Sequence, residues 1–148
     1  MTVKTILAAK GSEVVSIDFT ADLAAAAKLL TKHRIGALVV LGASGRLAGI
    51  LSERDIVRAI AESGITALQL PVAQEMTRNV FTCDVNDPIN SVIERMTKGK
   101  FRHMPVLDND HLVGMVSIGD VLKWSIEIIR DHIHQLETSI AEFDLIRL

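Results

Sequence analysis

The chain has 148 residues, of which 49% are hydrophobic and 23% charged, so it is long and apolar enough to fold around a packed core. Its formal net charge of -2 disfavours nucleic-acid binding as the main role, because neutralising phosphates needs a basic surface. A single cysteine excludes an internal disulfide, and no apolar stretch is long enough for a signal peptide or a membrane span, so we expect a soluble cytoplasmic protein.

The first half of the chain predicts a β-α-β-β-α unit. A short strand at Val14–Ile17 precedes an Ala-rich helix over Leu23–Leu30. Strands at Ala37–Leu41 and Leu47–Leu51 flank the turn GASG, which indicates a β-hairpin. A second helix is expected to begin at the Ser-x-x-Asp of GILSERDIVRAI, with Ser52 as its cap.

The second half repeats this order of elements. A strand at Val80–Cys83 leads to a helix for which Asp87 is the expected cap and Pro88 the first helical residue. Strands at Met104–Leu107 and Leu112–Val116 flank the turn DND. A last helix begins at the Ser-x-x-Asp of GMVSIGDVL.

The two units match along their whole length, which indicates a duplicated fold. Aligned pairs include Gly49 with Gly114, Ser52 with Ser117, and Asp55 with Asp120. We therefore expect an α+β fold in which residues 1–66 and 67–128 form two repeats packed as a pseudo-twofold pair.

A long helix is predicted at the C-terminus, over an extension at residues 129–148. Apolar residues there alternate at spacings of four and three, namely Leu122, Ile126, Ile129, Ile133, Leu136, Ile140 and Phe143. Such a heptad seam needs a partner to exclude water. We favour a second chain, hence a homodimer, over a tail that folds back on its own domain.

The repeated Ser-x-x-Asp motif has two interpretations. It is a helix cap if Ser accepts a backbone N–H and Asp favours the first turn. It is a ligand site if the carboxylate, held at a helix N-terminus, accepts both hydroxyls of a ribose. Two such motifs facing a cleft between repeats favour the second interpretation.

A basic cluster before the fifth strand could neutralise phosphate, with a solvated turn as the alternative. It consists of Lys98, Lys100, Arg102 and His103.

Repeated in this order, the motifs GILSERDIVRAI, GMVSIGDVL, RHMPVLD and MTRNVFTCDVNDPI resemble those of tandem cystathionine-β-synthase (CBS) domains, a pair called a Bateman module. The resemblance covers roughly residues 1–128. It implies a disc-like pair of repeats that binds an adenine nucleotide in its cleft. The ligand would be AMP, ADP or ATP, with NAD(H) also possible, and no metal is expected.

The resemblance also implies roles for individual residues. Asp55 and Asp120 would hold ribose hydroxyls, and Ser52 and Ser117 would help to hold ribose or phosphate. Adenine would lie against one wall made of Val14, Val15, Gly36 and Ala37, or against another made of Val80, Phe81, Arg102 and His103.

In related modules each site combines the Ser and Asp of one repeat with the adenine wall of the other. Crossing of this kind pairs Ser117 and Asp120 with Val15 and Ala37, and pairs Ser52, Arg54 and Asp55 with Phe81, Arg102 and His103. Because Gly119 stands where the other motif has Arg54, we expect the site with Arg54 to bind charged phosphates better.

The favoured function is a non-catalytic sensor that binds an adenine nucleotide and signals in trans to an unknown effector protein, without a membrane. One alternative is a structural dimerisation module with vestigial clefts. Another is a small nucleotide-using enzyme, which is disfavoured because the sequence has neither a nucleophile beside a base nor zinc-ligand spacing.

Overall fold

The computed structural model describes residues 1–147 and has an α+β architecture with two three-stranded sheets, as predicted. In chain order its elements are α1 (Val3–Lys10), β1 (Ser16–Asp18), α2 (Leu23–His33), β2 (Ala37–Leu41), β3 (Leu47–Ser52), α3 (Glu53–Ser63), a 3₁₀ helix (Gly64–Gln69), α4 (Val72–Glu75), β4 (Cys83–Asp84), α5 (Ile89–Gly99), β5 (His103–Asp108), β6 (His111–Ser117) and α6 (Ile118–Ile146).

The two sheets have the same topology. In each, a short first strand runs parallel to the middle strand, and the middle strand pairs antiparallel with its hairpin partner. A register irregularity falls at the same place in both hairpins, between Val40 and Leu41 and between Val106 and Leu107. This shared irregularity supports the duplication indicated by the sequence.

The first strand of each repeat is shorter and later than predicted. Residues 14–15 and 80–82 lie outside the strands; β1 begins only at Ser16, and β4 begins only at Cys83. The predicted cap of the next helix is also wrong in the second repeat. Pro88 is the N-cap of α5, and the Asp87 carboxylate instead accepts the Arg95 guanidinium at 2.6 Å and the Asp84 N–H at 3.0 Å.

Each repeat has its own core, and each core is completed by a helix that precedes the other repeat in the chain. Helix α1 contributes Val3, Ile6 and Leu7 to the second core. The segment between the repeats contributes Val72 and Met76 to the first core. This exchange of lead-in helices ties the two repeats together.

The hairpin glycines allow the lead-in helices to approach. A Cβ on Gly49 would lie 2.6 Å from the Thr77 carbonyl oxygen, and one on Gly114 would lie 2.7 Å from Leu7 Cδ2. Both distances are shorter than van der Waals contact, so neither hairpin has room for a side chain at its aligned glycine.

Helix α6 is long, as predicted. Its first turns pack on the second core through Val121 and Trp124, and every residue from Ile129 to Arg147 is exposed. Among the helices described, none combines the length and the apolar character needed to cross a membrane.

Candidate functional site

A cleft of about 630 Å³ lies between the two repeats. From the first repeat it is lined by Gly36, by Ile50 and by the junction of β3 and α3. From the second it is lined by residues 79–81, by the turn between α5 and β5, and by the start of α6. The predicted residues that it brings together are Gly36, Ser52, Arg54, Asp55, Val80, Phe81, Arg102, His103 and Ser117.

The motif of the first repeat forms a capping box at this cleft. Ser52 Oγ accepts the Asp55 N–H at 3.3 Å, while Asp55 Oδ2 accepts the Ser52 N–H at 2.8 Å. The second oxygen of the carboxylate, Oδ1, accepts Arg58 Nη2 at 2.7 Å. The helix-cap interpretation is therefore correct for Ser52, and the Asp55 carboxylate is held rigidly with a residue exposure of 6%.

Both oxygens of the Asp55 carboxylate therefore already accept a hydrogen bond within the protein. Each carboxylate oxygen has two lone pairs, so Oδ1 can accept another donor beside Arg58. Arg58 itself is a cleft residue that the sequence prediction missed, although its position three residues after Asp55 on a helix is a local signal.

Four cationic side chains line the cleft. Arg54 and Arg58 come from α3, and Lys100 and Arg102 come from the turn before β5. Lys100 has a left-handed backbone conformation with a φ of 55°, which ends α5 and sends the chain back toward the cleft. Lys98 does not line the cleft; its ammonium pairs with Glu94 on α5 at 2.7 Å.

Two aromatic rings form part of the wall. Phe81 and Phe101 stack in parallel, with ring centroids 5.1 Å apart and an interplanar angle of 6°. Phe81 is 60% exposed, so one face of the stack is available to another flat group. Phe101 was not predicted as a site residue.

His103 lies where the two repeats meet. A Cβ on Gly36 would lie 3.2 Å from His103 Cε1 and 3.3 Å from Glu53 Oε1, so these three residues adjoin. Burial lowers the pKa of His103; the carboxylates of Asp120 and Glu53 oppose this shift, and Lys10 and Arg102 add to it. Burial therefore favours the neutral form of the imidazole.

The second predicted site is organised differently. Ser117 and Asp120 form the same capping box, with the Ser117 N–H 2.9 Å from Asp120 Oδ2. The same oxygen is ion-paired with Lys10 Nζ at 2.7 Å, and Lys10 also donates to the Met115 carbonyl at 2.9 Å. The Asp120 carboxylate is therefore already ion-paired with Lys10 at the end of α1, as Asp55 is with Arg58.

The partners expected for Asp120 do not join the cleft. Val14, Val15, Ala37 and Asp120 are all absent from its lining, and Ala37 is only 3% exposed within β2. No local pattern could have revealed Lys10, since it lies 110 residues from Asp120 in the chain. The surroundings of the two motifs therefore differ through Lys10, which the sequence did not suggest, and the expected difference in phosphate binding stays a prediction.

Residues 1–147 contain no group of three or more His, Cys, Asp or Glu side chains that could hold a metal ion.

Comparison with known proteins places the architecture in a family. The family model for the CBS domain matches twice, over residues 4–62 and 72–127. This chain spans little more than half the length of the first curated relatives with which it aligns.

Three solved structures illustrate the similarity. The CBS-domain containing protein ATU1752 from Agrobacterium tumefaciens is 44% identical with a TM-score of 0.80, covering 82% of this chain and 91% of that one. The CBS domain pair of protein MJ0100, solved with 5-methylthioadenosine and S-adenosyl-L-methionine, is 30% identical with a TM-score of 0.75, covering 84% and 94%. The CBS domain protein PAE2072 from Pyrobaculum aerophilum, solved with AMP, is 30% identical with a TM-score of 0.73, covering 81% and 89%. The chain therefore belongs to the CBS-domain family and carries two CBS domains in tandem.

Proposed function

We propose that the protein is a non-catalytic regulatory module that binds an adenine nucleotide in the cleft between its CBS domains. The observation that carries this proposal is the composition of the cleft. It combines the fixed carboxylate of Asp55, the exposed face of Phe81 and a group of cations that includes Arg54 and Arg102.

Each part suits one part of a nucleotide. A carboxylate oxygen accepts hydroxyl hydrogens, as from a ribose, and an aromatic face stacks on a base. A guanidinium group can donate two parallel hydrogen bonds to two oxygens of one phosphate. The ligands in the structures of MJ0100 and PAE2072 all contain adenosine or its 5′-thio derivative, which supports the same class here.

The order of preference within this class follows from charge. Arg54, Arg58, Lys100 and Arg102 favour AMP, ADP or ATP over the positively charged S-adenosylmethionine. NAD(H) is a further candidate, since it shares the adenosine end. We propose a single occupied site in each chain, because Asp55 lines the cleft and Asp120 does not.

The test compares two variants that lose the same helix cap. Asp55→Ala and Asp120→Ala each break a capping box, at a cost of about 1 kcal/mol of stability. Only Asp55 lines the cleft. Thermal melts with AMP, ADP, ATP, NAD, NADH and S-adenosylmethionine should show a nucleotide-dependent rise in Tm for the wild type.

At 100 times the dissociation constant, the ligand should stabilise the wild type by about 2.7 kcal/mol. Asp55→Ala should lose most of this stabilisation, Asp120→Ala should keep it, and a 2′-deoxy nucleotide should give less of it. The proposal fails if no adenosine compound raises the Tm, or if the two variants lose the effect equally.

We further propose that the module acts in the cytoplasm as a homodimer and transmits ligand occupancy to a separate effector protein. A ligand can do this only if it binds two arrangements of the module with different affinity.

The alternative function, a structural dimerisation module with vestigial clefts, is favoured by the exposed seam of α6. It predicts a dimer that no nucleotide stabilises.

A further inference from the structure

Helix α6 carries an apolar face that nothing in residues 1–147 covers. The seven seam residues are 50% to 73% exposed, in contrast to Val121 on the opposite face, which is buried. They are Leu122, Ile126, Ile129, Ile133, Leu136, Ile140 and Phe143. A continuous exposed face of large aliphatic side chains is characteristic of an interface.

The composition of the seam fits a pair of helices. In heptad notation Ile126, Ile133 and Ile140 occupy the a positions, and d is occupied mainly by leucine and isoleucine. Large apolar residues at a and d pack as knobs into the holes of a facing helix. A helix with this pattern can bury its seam against an identical helix, so a second copy of this chain is a sufficient partner.

The charges beside the seam determine the direction of the partner. The e positions are basic in the half near the body, at Lys123 and Arg130, and acidic in the distal half, at Glu137 and Asp144. All four side chains are exposed, and no ion pair found within residues 1–147 involves them.

We propose that two copies of the chain associate through an antiparallel pair of α6 helices. In antiparallel coils each e position faces the e position of the partner. With Ile133 opposite the partner's Leu136, Ile129 meets the partner's Ile140 and Ile126 meets the partner's Phe143. In this register Lys123 lies beside the partner's Asp144 and Arg130 beside the partner's Glu137, and twofold symmetry repeats each ion pair.

A parallel pair would not use these charges. There the e positions face the partner's g positions, which are Ser125, His132, Ser139 and Ile146. None of these is an aspartate, glutamate, lysine or arginine. The antiparallel pair is therefore the arrangement in which both the apolar seam and its flanking charges are matched.

The antiparallel arrangement also separates the two nucleotide-binding modules. The helix rises about 1.5 Å per residue, so the modules lie at opposite ends of a rod about 35 Å long. This interface does not rest on nucleotide binding in the cleft. Failure of one proposal leaves the other standing.

Charge reversal tests both the partner and the direction. Arg130→Glu places a second carboxylate beside the partner's Glu137, and Glu137→Arg places a second guanidinium beside the partner's Arg130. Each variant alone should dissociate at a concentration at least tenfold higher than the wild type, measured by light scattering and analytical ultracentrifugation. Mixed together, the two variants should form a heterodimer, because each contact between position 130 of one chain and position 137 of the other then joins opposite charges.

The matched control is Asp131→Arg, which makes the same charge change as Glu137→Arg on the outer face of the helix. It should leave the wild-type dimer unchanged. Circular dichroism should show that all variants keep their folded content, since the seam lies outside both cores.

Three results would overturn the proposal. The wild type could be monomeric at all concentrations, or Arg130→Glu and Glu137→Arg could each dimerise as tightly as the wild type. Mixing them could also yield no excess of heterodimer over the statistical fraction. Any of these would mean that a second α6 does not lie antiparallel on the seam.

Discussion

At the scale of single residues, the helix-cap interpretation of the Ser-x-x-Asp motif is confirmed, and the ligand-site interpretation stays a prediction. Each copy is a capping box; Ser52 and Asp55 of the first copy line the cleft, whereas in the second copy Ser117 lines it and Asp120 does not. The sequence predicted nine of the nineteen residues that line the cleft, because they lie in local motifs next to strands. It missed Lys10, since the ion pair with Asp120 joins residues from opposite ends of the chain.

Lys10 is expected to keep the second half-site closed. Lys10→Met should release the Asp120 carboxylate, so that nucleotide binding rises above one mole per mole of chain in isothermal titration calorimetry. Lys4→Met, on the same helix, is the control and should leave the stoichiometry at one. An unchanged stoichiometry in Lys10→Met would contradict this role for Lys10.

His103 should report the occupancy of the cleft. Because burial lowers its pKa, NMR titration of the ligand-free protein should place His103 below the ordinary value of 6.5. The contribution of His103 to the free energy of unfolding is therefore complete above about pH 6.5. It is lost as the pH falls through the pKa of His103 in the folded state. A bound phosphate should raise the pKa of His103. A ligand-free pKa at or above 6.5 would be inconsistent with the buried position.

At the scale of elements, prediction worked where periodicity extends over several turns or strands. The hairpins, α5 and α6 were found within a few residues of their bounds. Helices α1 and α4 were missed because they are short and their apolar residues pack on the core of the other repeat. The strands β1 and β4 are two or three residues long, too short for any alternation to mark their ends.

The two hairpin glycines should tolerate no side chain. Gly49→Ala and Gly114→Ala should each lower the free energy of unfolding in urea by about 1–3 kcal/mol, because the new Cβ overpacks the lead-in helix. Gly49→Ala should cost more, since its Cβ meets the Thr77 backbone, whereas at Gly114 it meets the end of the Leu7 side chain.

Gly119→Ala is the control for this prediction. Its Cβ would meet only Ser117 Oγ at 3.6 Å, and alanine favours the helix, so stability should be equal or higher. Losses of similar size at all three glycines would contradict the explanation from close approach.

At the scale of the whole molecule, the exchange of lead-in helices makes the two repeats one unit, while α6 extends beyond it. The duplication and its paired packing were predictable, because matching residues are spread along both repeats. The contribution of Lys10 to the asymmetry between the half-sites was not, because it depends on how α1 crosses to the second repeat.

Removing residues 130–148 should abolish dimerisation and leave nucleotide binding intact. The truncated chain should be monomeric in light scattering, since it lacks most of the seam. It should keep the nucleotide-dependent rise in Tm, because both cores and the cleft are complete by Trp124. Loss of the nucleotide effect on truncation would show that the cleft needs the second chain.

The central claim is that the cleft between the CBS domains binds an adenine nucleotide. A crystal structure grown with saturating AMP tests it most directly. It should show one AMP per chain, with the ribose hydroxyls at Asp55 and the phosphate among Arg54, Lys100 and Arg102. An empty cleft, or AMP bound at Asp120 instead, would contradict the claim.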